Sequence, residues 1–195
     1  MFNENSSISY YMIKNIIITT SLFLFSSNIL ALDTTIKKNH DNTIFKESNP
    51  EFDTFIDEFF NDLRYYSEQN NPKNNAIINF LDSSFFQKQF KNKHIAGVCI
   101  KYTNNKREVI INSDFWYQTE VLADSYYLKK QLIYHELGHC VLDREHHNQE
   151  LSHLKLSIMN SSLFGHKEYY QINESLFIEE LFKNNAKETT FSLDY

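Results

Sequence analysis

Glycine and proline are scarce in this chain, whose 195 residues include only three glycines and two prolines. Few positions therefore break a helix or a strand, and element boundaries have to be read from polar clusters, many of them rich in asparagine. The sequence also lacks an internal repeat, a low-complexity tract and a long basic run. With a formal net charge of -6, it is not expected to bind nucleic acid.

Apolar and aromatic residues, by contrast, are abundant. Hydrophobic residues make up 42% of the chain and aromatic residues 15%, with 17 phenylalanines and 12 tyrosines. This content favours a packed interior over a disordered chain, and the length suits one domain with a modest core. We expect a monomeric protein with a single α+β domain over residues 50–195, preceded by a loose polar segment at 32–49.

The first 31 residues have the pattern of an export signal. Lys14 precedes the apolar run 16–25, which is too short to cross a bilayer comfortably, and small and polar residues then lead to Ala31. Cleavage at this point predicts a secreted or periplasmic protein with no membrane span in its mature chain. The alternative is an uncleaved membrane anchor.

Only two cysteines, Cys99 and Cys140, are present. In an oxidising compartment they are able to form a disulfide, and two buried free thiols are the alternative. Cys140 directly follows His139 and therefore points to a different face of their helix. We do not expect Cys140 to bind a metal.

Hydrophobic spacing predicts helices near both ends of the domain. Pro50 suits a first helical position. The amphipathic helix expected after it has an apolar stripe formed by Phe52, Phe55, Ile56, Phe59, Phe60, Leu63 and Tyr66. A last helix is predicted from about Tyr169 to Phe182. Its inner side is expected to hold Ile172, Leu176, Phe177, Leu181 and Phe182.

The middle of the chain carries strand patterns. Residues 76–92 fit either a strand or the start of a second helix. Side chains alternate in apolar character over 98–102, and the turn-forming residues 103–106 separate this stretch from an apolar run at 109–111. This pattern predicts a β-hairpin and hence a small sheet.

A further helix is predicted to begin near Asp124 or Ser125, and it contains His135-Glu136-Leu137-Gly138-His139. Two histidines four residues apart lie on one helix face, where both imidazoles can reach a single ion. The helix is apolar around most of its circumference, so the histidines are buried at a cost unless a metal satisfies them. Glu136 stands beside that face, where it can hold a water bound to the metal.

A catalytic zinc needs three protein ligands and one open position. Five of the eight histidines fall between residues 135 and 153, and His146 lies seven residues after His139. A chain that leaves the helix and doubles back would bring His146 to the same ion. We therefore predict a Zn²⁺ site formed by His135, His139 and His146. His147 and Glu145 are the alternatives for the third ligand.

The segment HELGHCVLDREHH, followed by Ser157-Ile158-Met159-Asn160, resembles the metzincin zinc metallopeptidases. Their signature is HExxHxxGxxH with a later methionine turn beneath the zinc. A closer resemblance is to small exported bacterial metallopeptidases that carry HELGHC followed by SIM. The resemblance covers about residues 96–160. It implies a metzincin-like catalytic domain with a small sheet, an N-terminal helix, an active-site helix and a C-terminal helix.

The chain departs from the metzincin pattern around the third ligand. His146 comes one residue later than usual, where Glu145 holds the usual place, and Leu142 replaces the glycine that normally permits the sharp turn out of the helix. The extra residue allows a wider turn in which Asp143 takes up the strained backbone conformation. The tyrosine that some metzincins carry two residues after the methionine is Ser161 here.

The resemblance implies a secreted endopeptidase that cleaves protein or peptide substrates with a zinc-bound water and Glu136 as general base. The substrate is expected to lie extended beside the hairpin at 96–112. One alternative is a gluzincin-type peptidase in which Glu174, on the last helix, is the third ligand. Another is an inactive module that keeps the fold for binding alone.

Overall fold

The computed structural model describes residues 36–38, 43–67, 76–151, 154–163 and 167–183. These ranges contain a small sheet, a short second hairpin and five α-helices, so the expected α+β class is confirmed. The expected export signal at 1–31 lies outside them. In this part of the chain, no helix combines the length and the apolar composition that crossing a membrane requires.

The sheet is built on the predicted hairpin, which is confirmed. Its strands are β1 (Ile36–Lys38), β2 (Ala76–Leu81), β3 (Gly97–Tyr102) and β4 (Arg107–Asn112). They lie in the order β1-β3-β4-β2. β3 and β4 are antiparallel, β2 runs parallel to β4, and β1 runs parallel to β3. A separate short hairpin consists of β5 (Glu150–Leu151) and β6 (Leu154–Lys155).

The five helices are α1 (Asp53–Tyr66), α2 (Ser83–Phe90), α3 (Ser113–Gln118), α4 (Ser125–Val141) and α5 (Lys167–Lys183). A 3₁₀ turn at Pro50–Phe52 leads into α1, with the Asn49 side chain accepting a hydrogen bond from the Glu51 amide. The ambiguous stretch 76–92 contains both expected elements in succession. Strand β2 comes first, and Asp82 then caps α2 through the amides of Ser84 and Phe85.

The main core lies between the sheet and helices α1, α4 and α5. Its largest fully buried members include Phe52, Phe59, Trp116, Tyr134 and Phe177. Because side chains alternate along a strand, the other face of the sheet carries a second cluster, which α2 covers. That cluster consists of Phe86, Ile95, Val98, Ile100, Tyr102 and Ile110. The two clusters fix the sheet in place and bring α4 against β3.

A disulfide joins Cys99 of β3 to Cys140 of α4, with their Cα atoms 5.5 Å apart. This settles the open question of the two cysteines in favour of pairing. Since both sulfurs are committed to each other, Cys140 is not a metal ligand, as expected. The covalent link lies one residue beyond His139, so it fixes the end of α4 to the sheet.

The described part of the segment 32–49 is held more firmly than expected. Residues 36–38 form β1 in the sheet. Glu108, fully buried on β4, accepts hydrogen bonds from the amides of Ile44 (3.1 Å) and Phe45 (2.8 Å). The Asn49 amide donates to the Ile78 carbonyl at 2.9 Å. Backbone pairing and one buried acid therefore tie this polar segment to the domain, which its composition does not reveal.

The last helix is confirmed, but the prediction that five of its residues face inwards is wrong for two of them. Phe177, Leu181 and Phe182 are buried, whereas Ile172 is 81% and Leu176 is 40% exposed. The reason is angular: Ile172 and Leu181 are nine residues apart, which is about half a turn around a helix. The helix carries apolar side chains on both sides, and only packing against α1 and α4 decides which side is inside.

Candidate metal centre

Helix α4 carries two of the predicted ligands into the interior. Every residue from Lys129 to Val141 is buried. His135 is fully buried and His139 is 3% exposed. The predicted burial of this helix is confirmed, and its two histidines face the same point because they are one turn apart.

The chain leaves α4 through a left-handed turn at Asp143, whose φ is +55°. The Arg144 amide donates to the Gly138 carbonyl at 3.0 Å, closing the turn back onto the helix. Aspartate tolerates this backbone conformation better than most residues that carry a Cβ. The expected role of Asp143 as a substitute for the missing glycine is confirmed.

The Asp143 carboxylate also binds the β3–β4 hairpin. It accepts hydrogen bonds from Lys101 Nζ at 2.6 Å and Arg107 Nη1 at 2.7 Å. The Arg107 hydrogen bond lowers the pKa of Asp143; partial burial opposes the effect and Lys101 adds to it. The turn that leads to His146 is therefore attached to the sheet as well as to the helix.

The turn brings His146 to the other two histidines. His135 Nε2 lies 3.1 Å from His139 Nε2 and 3.2 Å from His146 Nε2. One ligand atom from each of the three lies within 4.8 Å of the others. Among the described histidines, cysteines and carboxylates, this is the one group of three or more that can hold a metal ion, and no fourth member joins it.

Two backbone carbonyls orient the imidazoles of α4. His135 Nδ1 lies 2.8 Å from the Ile158 carbonyl oxygen, and His139 Nδ1 lies 2.6 Å from that of Arg144. A carbonyl oxygen only accepts, so each Nδ1 carries a proton, and in the neutral form of each ring the lone pair is at Nε2. Metal-binding histidines are typically fixed by such contacts of the second ring nitrogen.

The electrostatics of the site favour a cation. Burial, followed by the nearby His139 and then His146, lowers the pKa of His135 well below its ordinary value, although the Ile158 hydrogen bond opposes this. The Nε2 atom of His135, whose ring is thus held neutral, lies 3.1 Å from the Nε2 atom of His139. A cation between the two rings would be bound by the Nε2 lone pairs, and an imidazole-only donor set suits a borderline transition metal. The residues present therefore fit a metal ion.

Glu136 lies beside the histidines and against strand β3. It is 1% exposed. A Cβ atom placed on Gly97 would lie only 2.7 Å from Glu136 Oε1 and 2.9 Å from its Cγ. The strand approaches the carboxylate this closely only because residue 97 has no side chain. Gly97 was not identified from the sequence, in which one glycine before an apolar run carries no distinguishing signal.

Met159 lies beneath the helix segment that carries the ligands. It is fully buried in a turn closed by the Asn160 amide donating to the Ser157 carbonyl at 3.1 Å. Its Sδ would be 2.5 Å from a Cβ on Gly138, so the glycine between the histidines leaves room for the methionine. The Met159 carbonyl accepts from the His147 amide at 2.8 Å, which joins this turn to the His146 loop.

The alternative third ligands lie elsewhere. Glu174 forms an ion pair with Lys130 at 2.8 Å and is not a member of the histidine group. Burial lowers the pKa of Lys130, but hydrogen bonds to Glu174 and Glu58 raise it to about 12. Glu145 is exposed. His147 directs Nδ1 towards Glu180 Oε1 at 3.8 Å.

Sequence reasoning missed a buried polar network behind the ligands. Arg144, Ser157 and Glu180 form it, and they come from the His146 loop, the methionine turn and α5. An arginine and a serine within polar stretches give no local signal. An acid next to the apolar pair Leu181-Phe182 is the one hint that the sequence contains.

Comparisons of the chain with protein-family models, with curated proteins and with solved structures find no match. The functional interpretation of this centre therefore depends on its own geometry and chemistry.

Proposed function

We propose that this protein is a zinc-dependent endopeptidase of metzincin-like architecture, with His135, His139 and His146 as metal ligands. The observation that carries the proposal is the convergence of three Nε2 atoms, with that of His135 3.1 and 3.2 Å from the other two, at a helix where the buried Glu136 directly follows His135. Three histidines with no fourth protein ligand among the described residues match a catalytic zinc better than a structural one.

A zinc ion held there would supply a Lewis acid for the scissile carbonyl and lower the pKa of a water towards neutrality. Glu136 is the general base: its carboxylate takes a proton from the attacking water and then delivers it to the leaving amine nitrogen. Burial of Glu136 between α4 and β3 keeps the carboxylate in one position. The Ile158 and Arg144 carbonyls hold the rings of His135 and His139 in their ligand orientation.

Strand β3 is the proposed docking strand for an extended substrate. It contacts Glu136 through Gly97, so a peptide that pairs with this end of the strand passes the general base. Main-chain hydrogen bonds to a strand edge give affinity without requiring a particular sequence. We therefore propose proteins or peptides as the substrate class. We also propose that the enzyme acts as a monomer.

Export fits the same proposal. Structural disulfides form in oxidising compartments, and the Cys99–Cys140 bond lies in the catalytic domain itself. The apolar N-terminal run and this disulfide together favour a secreted or periplasmic enzyme.

The test compares the wild-type protein with Glu136→Gln. We expect the wild type to purify with about one zinc per chain and to cleave a broad peptide library, with cleavage abolished by chelator and restored by zinc. Glu136→Gln should keep its zinc and lose cleavage. A wild type that binds zinc but cleaves nothing would favour the inactive binding module, and a wild type that binds no zinc would remove the metal centre altogether.

A further inference from the structure

Glu180 is a buried acid that the mechanism above does not use. It lies on α5 and is 3% exposed, between the buried residues Ile178 and Leu181 on the inner side of the helix. Its neighbour Glu179 has a side chain that is 42% exposed and pairs with Lys183 one turn away. A carboxylate is costly to bury unless its oxygens are satisfied by charge and hydrogen bonds.

The two oxygens of Glu180 bind two different segments. Oε1 accepts a hydrogen bond from Arg144 Nη2 at 2.6 Å, and Oε2 accepts one from Ser157 Oγ at 2.7 Å. The guanidinium of Arg144 also donates through Nη1 to the carbonyls of Glu180 and Leu181 near the end of α5, at 3.1 and 2.9 Å. Arg144 is thus fixed from two sides.

Both segments supply a carbonyl that orients a histidine. The Arg144 carbonyl lies 2.6 Å from His139 Nδ1. The Ile158 carbonyl, directly after Ser157, lies 2.8 Å from His135 Nδ1. The Ser157 hydroxyl, which donates to Glu180, also accepts from the Met159 amide at 3.0 Å, so it fixes the turn around the Ile158 carbonyl.

We propose that Glu180 is a positioning residue for the metal centre: one buried carboxylate on α5 holds in place the two backbone carbonyls that set the tautomer and orientation of His135 and His139. This inference rests on the proposed metal site. It assigns to the C-terminal helix a function at the centre, although α5 contributes no ligand to the histidine group.

Loss of the carboxylate is expected to weaken metal binding even where the chain stays folded. In Glu180→Ala the Arg144 and Ser157 segments lose their common partner, and groups that orient ligands typically change metal affinity by about 10- to 100-fold. Glu180→Gln keeps an oxygen acceptor for Arg144 and an amide that can donate to Ser157. It loses the charge but keeps the connection.

The experiment measures zinc affinity by competition with a chromophoric chelator, and the absorption spectrum of the Co²⁺-substituted protein, on the full chain. The variants are Glu180→Ala, Glu180→Gln and Ser157→Ala, with Glu179→Ala as the matched control on the same helix. Circular dichroism and denaturation give the folded fraction of each variant, to which the affinity is normalised. His146→Ala reports separately on the metal site itself.

We expect Glu180→Ala to bind zinc about 10- to 100-fold more weakly than wild type, with an altered Co²⁺ spectrum. Glu180→Gln should keep a zinc affinity close to that of wild type, and the affinity of Ser157→Ala should fall between those of Glu180→Ala and Glu180→Gln. Glu179→Ala should match wild type. Should Glu180→Ala fail to fold, Ser157→Ala and Glu180→Gln still decide the question.

A folded Glu180→Ala with wild-type affinity and spectrum would overturn the positioning role, even if its stability fell. Wild-type affinity in Ser157→Ala together with a loss in Glu180→Gln would overturn it too, since charge rather than the connection would then matter. If the wild type failed to bind zinc, or if His146→Ala bound it as tightly as wild type, the proposed ligand set would be wrong. The proposed function of the protein would then be wrong as well.

Discussion

The backbone of Gly97 lies against the carboxylate of Glu136, close enough that a methyl group on residue 97 would stand 2.7 Å from Oε1. The two residues belong to β3 and α4, and the proposed general base is therefore held in place by a strand as well as by its own helix. Gly97 does not need glycine for its backbone conformation, because no described glycine has a positive φ. Space alone requires it.

Gly97→Ala is therefore expected to displace Glu136 without unfolding the protein. A misplaced catalytic group typically lowers turnover by about 10- to 100-fold. Peptide cleavage should fall by that factor while zinc stoichiometry stays that of wild type. The control is Glu136→Gln, which sets the background rate: Gly97→Ala should retain cleavage above that background, because the methyl group displaces the base and does not remove it. Wild-type turnover in Gly97→Ala would show that this contact does not hold the base.

His146→Ala and Glu174→Ala distinguish the two candidate third ligands. We expect His146→Ala to lose zinc, because it removes one of the three converging Nε2 atoms. Glu174→Ala should keep its zinc and instead lose about 1–3 kcal/mol of stability, since the buried Lys130 would lose one of the two acidic partners that it has among the described residues. Zinc analysis and urea denaturation of both proteins provide the measurement. The reverse pattern of zinc loss would establish the gluzincin-type site.

Removal of the disulfide should lower the free energy of unfolding substantially. The bond closes a loop with a sequence separation of 41, for which chain entropy predicts a loss of about 4 kcal/mol, within a usual range of about 2–5 kcal/mol. Urea denaturation of Cys99→Ala/Cys140→Ala against oxidised wild type measures it. Reduced wild type serves as the control and should resemble the double variant. An unchanged unfolding midpoint in both would contradict a stabilising role.

Asp143→Asn tests the ion pairs that hold the turn after α4. Asparagine also tolerates a positive φ, so the substitution removes charge and leaves the backbone conformation available. Because the pKa of Asp143 is lower in the folded protein than its ordinary value of 3.8, the ion pairs stabilise the fold above that pH and the effect is lost as the pH falls through the folded value.

The stability difference between wild type and Asp143→Asn should thus be present at pH 7 and shrink below about pH 4. Its size is expected to be below about 1 kcal/mol, since the Asp143 side chain is 56% exposed and solvent screens the pair. Asp57→Asn, at an exposed position of α1, is the control for the loss of one negative charge elsewhere on the surface. A difference that grew on acidification would contradict the assignment.

Local pattern was sufficient to predict the parts of the site that lie within one element. The spacing of His135 and His139 on a buried helix, the β3–β4 hairpin and the left-handed turn at Asp143 are each encoded within a few neighbouring residues. His146 could be predicted because it follows closely and because a catalytic metal needs a third ligand.

Contacts between distant segments could not be predicted. Glu179 and Glu180 are adjacent and chemically identical, yet the side chain of Glu179 is 42% exposed, whereas Glu180 is buried against Arg144, a residue 36 positions away. The wrong prediction for Ile172 has the same cause. When a helix has apolar residues on two sides, its sequence does not determine which side packs against the core. Tertiary packing makes that choice.

Strand β1 restricts what can lie along the sheet beside the proposed active site. One edge of β3 pairs with β4, and the other pairs with β1 from Ile100 to Tyr102. Two extended chains cannot share the same backbone donors and acceptors. A peptide that paired with β3 from Gly97 would therefore have a short free edge, ending at Cys99, before it met β1. Longer pairing would require β1 to leave its place, so in the proposed peptidase the length of substrate that pairs with the sheet depends on displacement of that strand.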